Sequence, residues 1–226
     1  MTELPIILDD FIEEELQNQI EDAMFDCFWT YCNDNSLGSK TLEMEYRKFL
    51  NPLTYDISPT FISNILISKN KETYNKILPL IKKSCDEIKF NVEKIQRCYG
   101  AIHAIIKNTP KNDNIHVNLA DPHLVMLYYV NDCDGDTILY DKVFGDIPST
   151  FNSYPDDYCK FNIIHKISPK KGRVLFFDGR IYHAPSSPTK SIRCIITLDL
   201  FGEFVDGSYK FPAPKQIKKN EYFKYQ

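Results

Sequence analysis

The chain lacks the features that would send it to a membrane or to nucleic acid. No apolar run approaches the ~20 residues needed to span a bilayer. The opening MTELPIILDDFIEEEL has neither a basic n-region nor a long apolar stretch, which is not the pattern of a secretory signal. Lysine and arginine (27) do not outnumber aspartate and glutamate (31), and the net charge of -4 provides no global basic field for a polyanion. Neither a membrane nor nucleic acid is therefore indicated as a partner. The seven cysteines, at 27, 32, 85, 98, 133, 159 and 194, are odd in number and scattered. No CxxC pair occurs, which argues against a zinc ribbon or a redox dithiol. Reduced thiols and a cytoplasmic location are the expectation. There is no internal repeat and no low-complexity segment.

What is present fits one domain. A length of 226 residues with 43% hydrophobic and 26% charged residues allows a single well-buried core. Residues 1–89 read as helical N-terminal support, 90–201 as a strand-rich core, and 202–226 as a C-terminal extension that is lysine-rich and packs loosely. PIILDDF predicts a short strand, and EEELQNQIEDAMFDCFW a helix with Leu16, Ile20, Ala23 and Met24 on one face and Asp10 as its cap. A second helical region is expected over 61–89, broken near SKNKE and bent or ended at Pro79. From residue 92 the pattern changes to short strands: VEKIQRCYGAIHAIIKN, HLVMLYYVND, DTILYDKV, IIHKISP, GRVLFFDG and SIRCIITLDLF. Turn signals separate them, which predicts an antiparallel sandwich or barrel behind N-terminal helices, an α+β chain that is mainly β. Asp132, Asp134 and Asp136 read as turn residues, because no bidentate glutamate follows at calcium-loop spacing. The irregular stretches 30–60 and 142–162 are the places to expect substrate contacts.

Three features carry chemistry. In NIHVNLADPH, His116 and Asn118 lie on the same side of an extended chain. His183 follows a strand and turn in FFDGRIYHAPSSP. Arg193 sits ten residues further on, sharing a strand face with Ile195 and Thr197. On an inward face such a charge needs a carboxylate or phosphate partner; on an outward face it is simply solvated. Each histidine taken alone reads as an ordinary partly buried residue. His103 reads as a satisfied core or edge residue, and His123 and His165 lack partners at ligand spacing.

Together, in order, these residues resemble the iron(II)- and 2-oxoglutarate-dependent oxygenases, most closely those similar to prolyl 4-hydroxylases. The family pattern is His-x-Asp, a distal His, then an Arg about ten residues later. Here it is His116-Val-Asn118, His183 and Arg193, framed by LYYVND, GDT and PKKGRVLFFDGRIYHA. The resemblance covers roughly residues 90 to 201. It implies a double-stranded β-helix, or jelly roll, with Fe(II) held by His116, Asn118 and His183. It implies that Arg193 binds the distal carboxylate of 2-oxoglutarate, with Tyr129 hydrogen-bonding the same group.

The implied reaction is hydroxylation of a C–H bond, with a proline in a peptide or protein as one substrate class. Asn118 departs from the pattern: an amide offers the metal a neutral oxygen where the family has a carboxylate. Asp121 is a substitute only if it swings in from the opposite parity. Halogenating members have a small residue at this position, and Asn118 is larger, which places halogenation behind hydroxylation. The rival expectation is a jelly-roll binding module that kept the cleft and lost the carboxylate ligand. A plain structural jelly roll is a third.

Overall fold

The structure is a computed structural model that describes residues 3–32, 60–105, 115–144, 161–207 and 209–211. The chain runs β1 (Ile6–Leu8), α1 (Glu14–Asp26), β2 (Thr30–Cys32), β3 (Thr60–Asn64), a short 3-10 turn, α2 (Lys71–Glu87) and β4 (Phe90–His103). It continues with β5 (Leu124–Tyr129), β6 (Thr137–Val143), β7 (Ile163–Ile167), β8 (Val174–Asp178), β9 (Ile181–Pro185) and β10 (Arg193–Phe204). The larger sheet has the order β1-β8-β5-β10-β4-β3-β2 and the smaller one β7-β6-β9. All their pairings are antiparallel.

The middle strands read as unbroken apolar runs because both of their faces are covered. Every residue of β5 and β8 is buried. Even-numbered side chains such as Met126, Tyr128, Phe176, Ile196 and Leu198 pack with Ile20 and Met24 of α1 and with Ile77, Leu80 and Ile81 of α2. Odd-numbered ones, Val125, Leu127, Leu175, Phe177 and Ile195, face the other way and meet Leu139 and Ile167 of the smaller sheet. At roughly 1.5–3 kcal/mol per fully buried large side chain, these two layers dominate the folding energy. A third cluster, Val117, Ile138, Tyr140, Tyr182 and Ala184, covers the outer side of the smaller sheet.

Several expectations change. Residues 61–64 belong to a strand, not a helix: FISN pairs with Tyr99–Ile102 of β4, and that pairing overrides the local apolar spacing. Asp10 does not cap α1; Glu13 holds the cap position without a side-chain bond. The Asp10 carboxylate instead takes Lys170 at 2.6 Å, while Asp9 grips Arg173 through both oxygens at 2.7 Å. Those pairs tie the chain start to the SPKKGR turn before β8. Pro79 sits inside α2, and the helix continues through it. Pro79 lies on the exposed face of the helix, where the loss of one backbone N–H costs least. β10 continues past residue 201 to a buried Phe204, and Tyr209 and Phe211 pack against the same core. Thr30–Cys32 of the stretch expected to be irregular form β2, while 33–59 and most of the 142–162 loop lie outside the described residues.

Candidate active site

The site forms between the sheets, at the end where β4, β9 and β10 bring their odd-numbered residues together. Arg193 opens β10 directly opposite His103 of β4, and its side chain points inward and is only 1% exposed. Its Nε donates to the Gly135 carbonyl at 2.9 Å and its Nη2 to Thr137 Oγ1 at 2.9 Å. The Tyr129 hydroxyl donates to the same Thr137 oxygen at 2.7 Å. Burial raises the Tyr129 pKa against the opposing pull of Arg193, so the phenol stays neutral. The third guanidinium nitrogen, Nη1, is buried and has no hydrogen-bond partner. Among the described residues no carboxylate pairs with Arg193, so a full positive charge is held in the interior with one donor unused. Such an arrangement costs several kcal/mol unless an anion completes it.

A cavity of about 40 Å³ opens beside Arg193, lined by His103, His116, His183, Thr137, Phe177 and Thr197 among others. A larger hollow of about 510 Å³ lies outside the sandwich, between α2 and β4, lined by Leu78, Cys85, Lys89 and Ile95 among others. Its lining contains no histidine, whereas the smaller cavity has three, His103, His116 and His183.

His116 and His183 are brought together by the backbone. Each donates its N–H to the other's carbonyl, at 2.9 and 2.8 Å, forming a hydrogen-bonded antiparallel pair whose side chains project to the same side. Their ring centres are 4.5 Å apart. The His183 Nδ1 lies 2.8 Å from the Ile181 carbonyl. A carbonyl only accepts, so Nδ1 carries the proton and Nε2 presents a lone pair. The edge of Phe177 packs against the ring at 4.9 Å between centres. Burial, and then the neighbouring His116, depress the His183 pKa well below the ordinary value, so the imidazole is neutral and fit to ligate a cation.

Asn118 is 6% exposed and engages the middle of β10. Its Nδ2 donates to Asp199 Oδ1 at 2.8 Å, and its backbone carbonyl accepts from Arg97 Nη2 at 2.9 Å. Arg97 also contacts Asp199 through Nε, directly across the β4–β10 pairing. Asp199 is fully buried. Burial raises its pKa, but His123 and Arg97 outweigh that and hold the carboxylate below its usual range. His123 is fully buried as well, with Nδ1 on the Asp121 carbonyl at 2.7 Å and Nε2 at 3.6 Å from Asp199 Oδ1. That last distance is an electrostatic contact just beyond hydrogen-bond length.

Two glycines make this packing possible. A Cβ on Gly135 would lie 2.8 Å from the Ser186 carbonyl and 3.0 Å from Arg193 Cδ, and a Cβ on Gly179 would overlap the His123 imidazole. Gly179→Ala is expected to force His123 aside and cost about 1–3 kcal/mol, the usual range for overpacking a buried site. A lowered urea midpoint with an unchanged slope checks it. The neighbouring Asp178 and Arg180 form a buried pair at 2.7 Å that fixes the β8–β9 turn, and with it the start of the His183 strand.

The residues singled out in the sequence thus fall into two adjoining groups. Arg193 and Tyr129 meet at Thr137, next to His116 and His183, while Asn118 turns its amide nitrogen toward Asp199. Asp121 is exposed and touches the network only through its backbone. Asp199 and Arg97 carry no local signal in the sequence, and Thr137 shows there only as the last residue of GDT. His103, expected to be a core or edge residue, lines the cavity, and His123 lies 3.6 Å from Asp199. The Asp134 carboxylate accepts from Thr189 and Lys190, linking its loop to the one before β10.

Among the described residues no three His, Cys, Asp or Glu side chains converge on one point. The paired imidazoles of His116 and His183 are of the type that can hold a divalent metal, the Asn118 amide is engaged by Asp199, and the unpartnered Nη1 of Arg193 suits an anion such as a carboxylate.

No protein-family model matches the chain, and no curated protein matches it by sequence. Among solved structures, an oxidoreductase of the 2OG-Fe(II) oxygenase family from Burkholderia pseudomallei matches with a TM-score of 0.57 at 11% identity, over 87% of this chain and 84% of that one. A prolyl hydroxylase from Trichoplax adhaerens, in complex with a hypoxia inducible factor oxygen degradation domain peptide fragment, gives a TM-score of 0.43 at 18% identity, over 83% and 90% of the two chains. The chain has the jelly-roll fold of the 2OG-Fe(II) oxygenases.

Proposed function

We propose that the protein is an Fe(II)- and 2-oxoglutarate-dependent dioxygenase that hydroxylates a C–H bond. The observation that carries this reading is the buried Arg193, with Nη1 unpartnered, in the same cavity wall as the paired imidazoles of His116 and His183. His116 and His183 would hold the metal, with Asn118 offering its amide oxygen. When bound, the iron would activate O₂, the oxidant, with 2-oxoglutarate as the two-electron reductant: one oxygen atom would go to succinate, with release of CO₂, and the other to the substrate hydroxyl.

The chain's own residues bind, orient and exclude water. Arg193 takes the distal carboxylate of 2-oxoglutarate. Thr137 and Tyr129 hold the guanidinium in one orientation, so little freedom is lost on binding. Phe177 and Leu127 wall the cavity and keep its dielectric low, which strengthens the Arg193–carboxylate attraction. A peptidyl proline is the first substrate class to test, a choice that rests on the motif resemblance.

Anaerobic Fe(II) titration with 2-oxoglutarate tests the reading, followed by the visible charge-transfer absorbance of the chelate. Wild type should give a saturable band that His183→Ala lacks. No band in wild type would sink the oxygenase reading. The second reading, a binding module that kept the cleft, is favoured by the absence of a carboxylate among the donors and by the Asn118–Asp199 bond. It predicts 2-oxoglutarate binding that requires Arg193 and is indifferent to metal.

A further inference from the structure

We propose that Asp199 is the positioning carboxylate of this site: it fixes the orientation of the Asn118 amide and places beside it the negative charge that an amide ligand lacks. The inference rests on the oxygenase reading for the identity of the site, and on geometry for the role of Asp199.

An ionised carboxylate only accepts hydrogen bonds. The Asn118 atom 2.8 Å from Asp199 Oδ1 must therefore be Nδ2, and Oδ1 is the atom of the amide left to meet a cation. Asn118 is held at three points. Its backbone N–H donates to the Gly179 carbonyl at 3.3 Å, its carbonyl accepts from Arg97, and its side chain is tied to Asp199. Asp199 is in turn fixed by Arg97 across the strand pair and by His123 at 3.6 Å. The β4–β10 register shifts immediately after Asp199, where Gln96 of β4 is skipped. A fully buried carboxylate with one half-exposed cation beside it keeps charge to share with the amide. Polarisation along the N–H···O bond raises electron density on the amide oxygen, in the way that carboxylates outside a metal's ligand shell raise the basicity of ligating imidazoles.

The arrangement changes what Asn118→Asp should do. Read from sequence alone, restoring aspartate tightens metal binding. In the structure the new carboxylate would sit within hydrogen-bond distance of Asp199, and two carboxylates that close do not both ionise in the absence of a cation. The exchange variant Asn118→Asp/Asp199→Asn avoids the conflict. It keeps one amide–carboxylate hydrogen bond and one charge, and moves the charge to the ligand position.

Co(II) titration followed by its visible absorbance tests the proposal, with circular dichroism and thermal midpoints recorded for each variant. Asp199→Asn should bind Co(II) about 10–100-fold more weakly than wild type, the usual range for losing a group that orients a ligand. The exchange variant should bind at least as tightly as wild type. Co(II) affinity unchanged in a folded Asp199→Asn would overturn the proposal, since a purely structural role moves the midpoint alone. If Asp199→Asn does not fold, the exchange variant decides: weaker binding than wild type overturns the assignment. Co(II) bound by the exchange variant but not by wild type would overturn the Asp199 proposal together with the oxygenase reading, because the amide would then not serve as a ligand. Binding by neither would end both.

Discussion

Arg193→Met should abolish measurable 2-oxoglutarate binding at sub-millimolar concentration while leaving the apo fold at least as stable as wild type. The two effects have one origin. The guanidinium is buried, held by Gly135 and Thr137, and has a nitrogen with no partner. A buried charge that waits for a ligand is a cost to the empty protein, and a hydrophobic side chain of similar length removes it. The same substitution takes away the charge-assisted bonds to the carboxylate. Losing one partner of a buried charge pair typically costs 2–5 kcal/mol, so about 2 kcal/mol, or about 30-fold in Kd, is the expected minimum. Isothermal titration with 2-oxoglutarate and urea unfolding of the apo protein measure both sides. A variant that unfolds more easily, with binding reduced only in proportion, would make Arg193 a structural residue and remove the main support for the dioxygenase reading.

The opposing signs also explain why Arg193 was legible in the sequence and Asp199 was not. Both lie on β10 with the same parity, in the run 193, 195, 197, 199. A charge at the start of an otherwise apolar strand, ten residues after a histidine, has a pattern to match. Asp199 has no local pattern: its meaning comes from Asn118, 81 residues away in sequence, and from Arg97 on the paired strand. His103 became part of the cavity wall by the same kind of pairing, through its register with Arg193. The sandwich itself was legible because short β-branched and aromatic runs between turn residues leave few alternatives. β3 was not, since Phe61, Ile62 and Ile65 also sit at helical spacing. Only the pairing with β4 decides that Thr60 and Ser63 are both buried, one on each face of the sheet. Local periodicity reports an element's faces, and contacts made across the sheet report its function.

The apo protein should lose stability steeply as the pH falls from 7.5 to 5.5. His103 and His183 are both buried, at 2% and 6% exposure. Burial depresses both pKa values well below the ordinary value; next come Arg193 and His116 for His103, and His116 for His183. In the unfolded chain each takes up a proton near its ordinary pKa of about 6.5. In the native protein neither does so until much lower pH. Below about 6.5 the unfolded state therefore binds more protons, and stability falls with pH by up to about 1.4 kcal/mol per unit for each histidine. Integrated from pH 7.5 to 5.5, each contributes a loss of about 1.4 kcal/mol, so the pair removes about 3 kcal/mol from a domain whose total is typically 5–15 kcal/mol. Above pH 7.5 the effect vanishes, because both states are then neutral at these positions. Urea midpoints across this range should show the loss, and His183→Gln should recover close to half of it. A His183→Gln profile parallel to that of wild type would mean that the folded imidazole takes up its proton near the ordinary pKa, and that burial does not hold it neutral below pH 6.5.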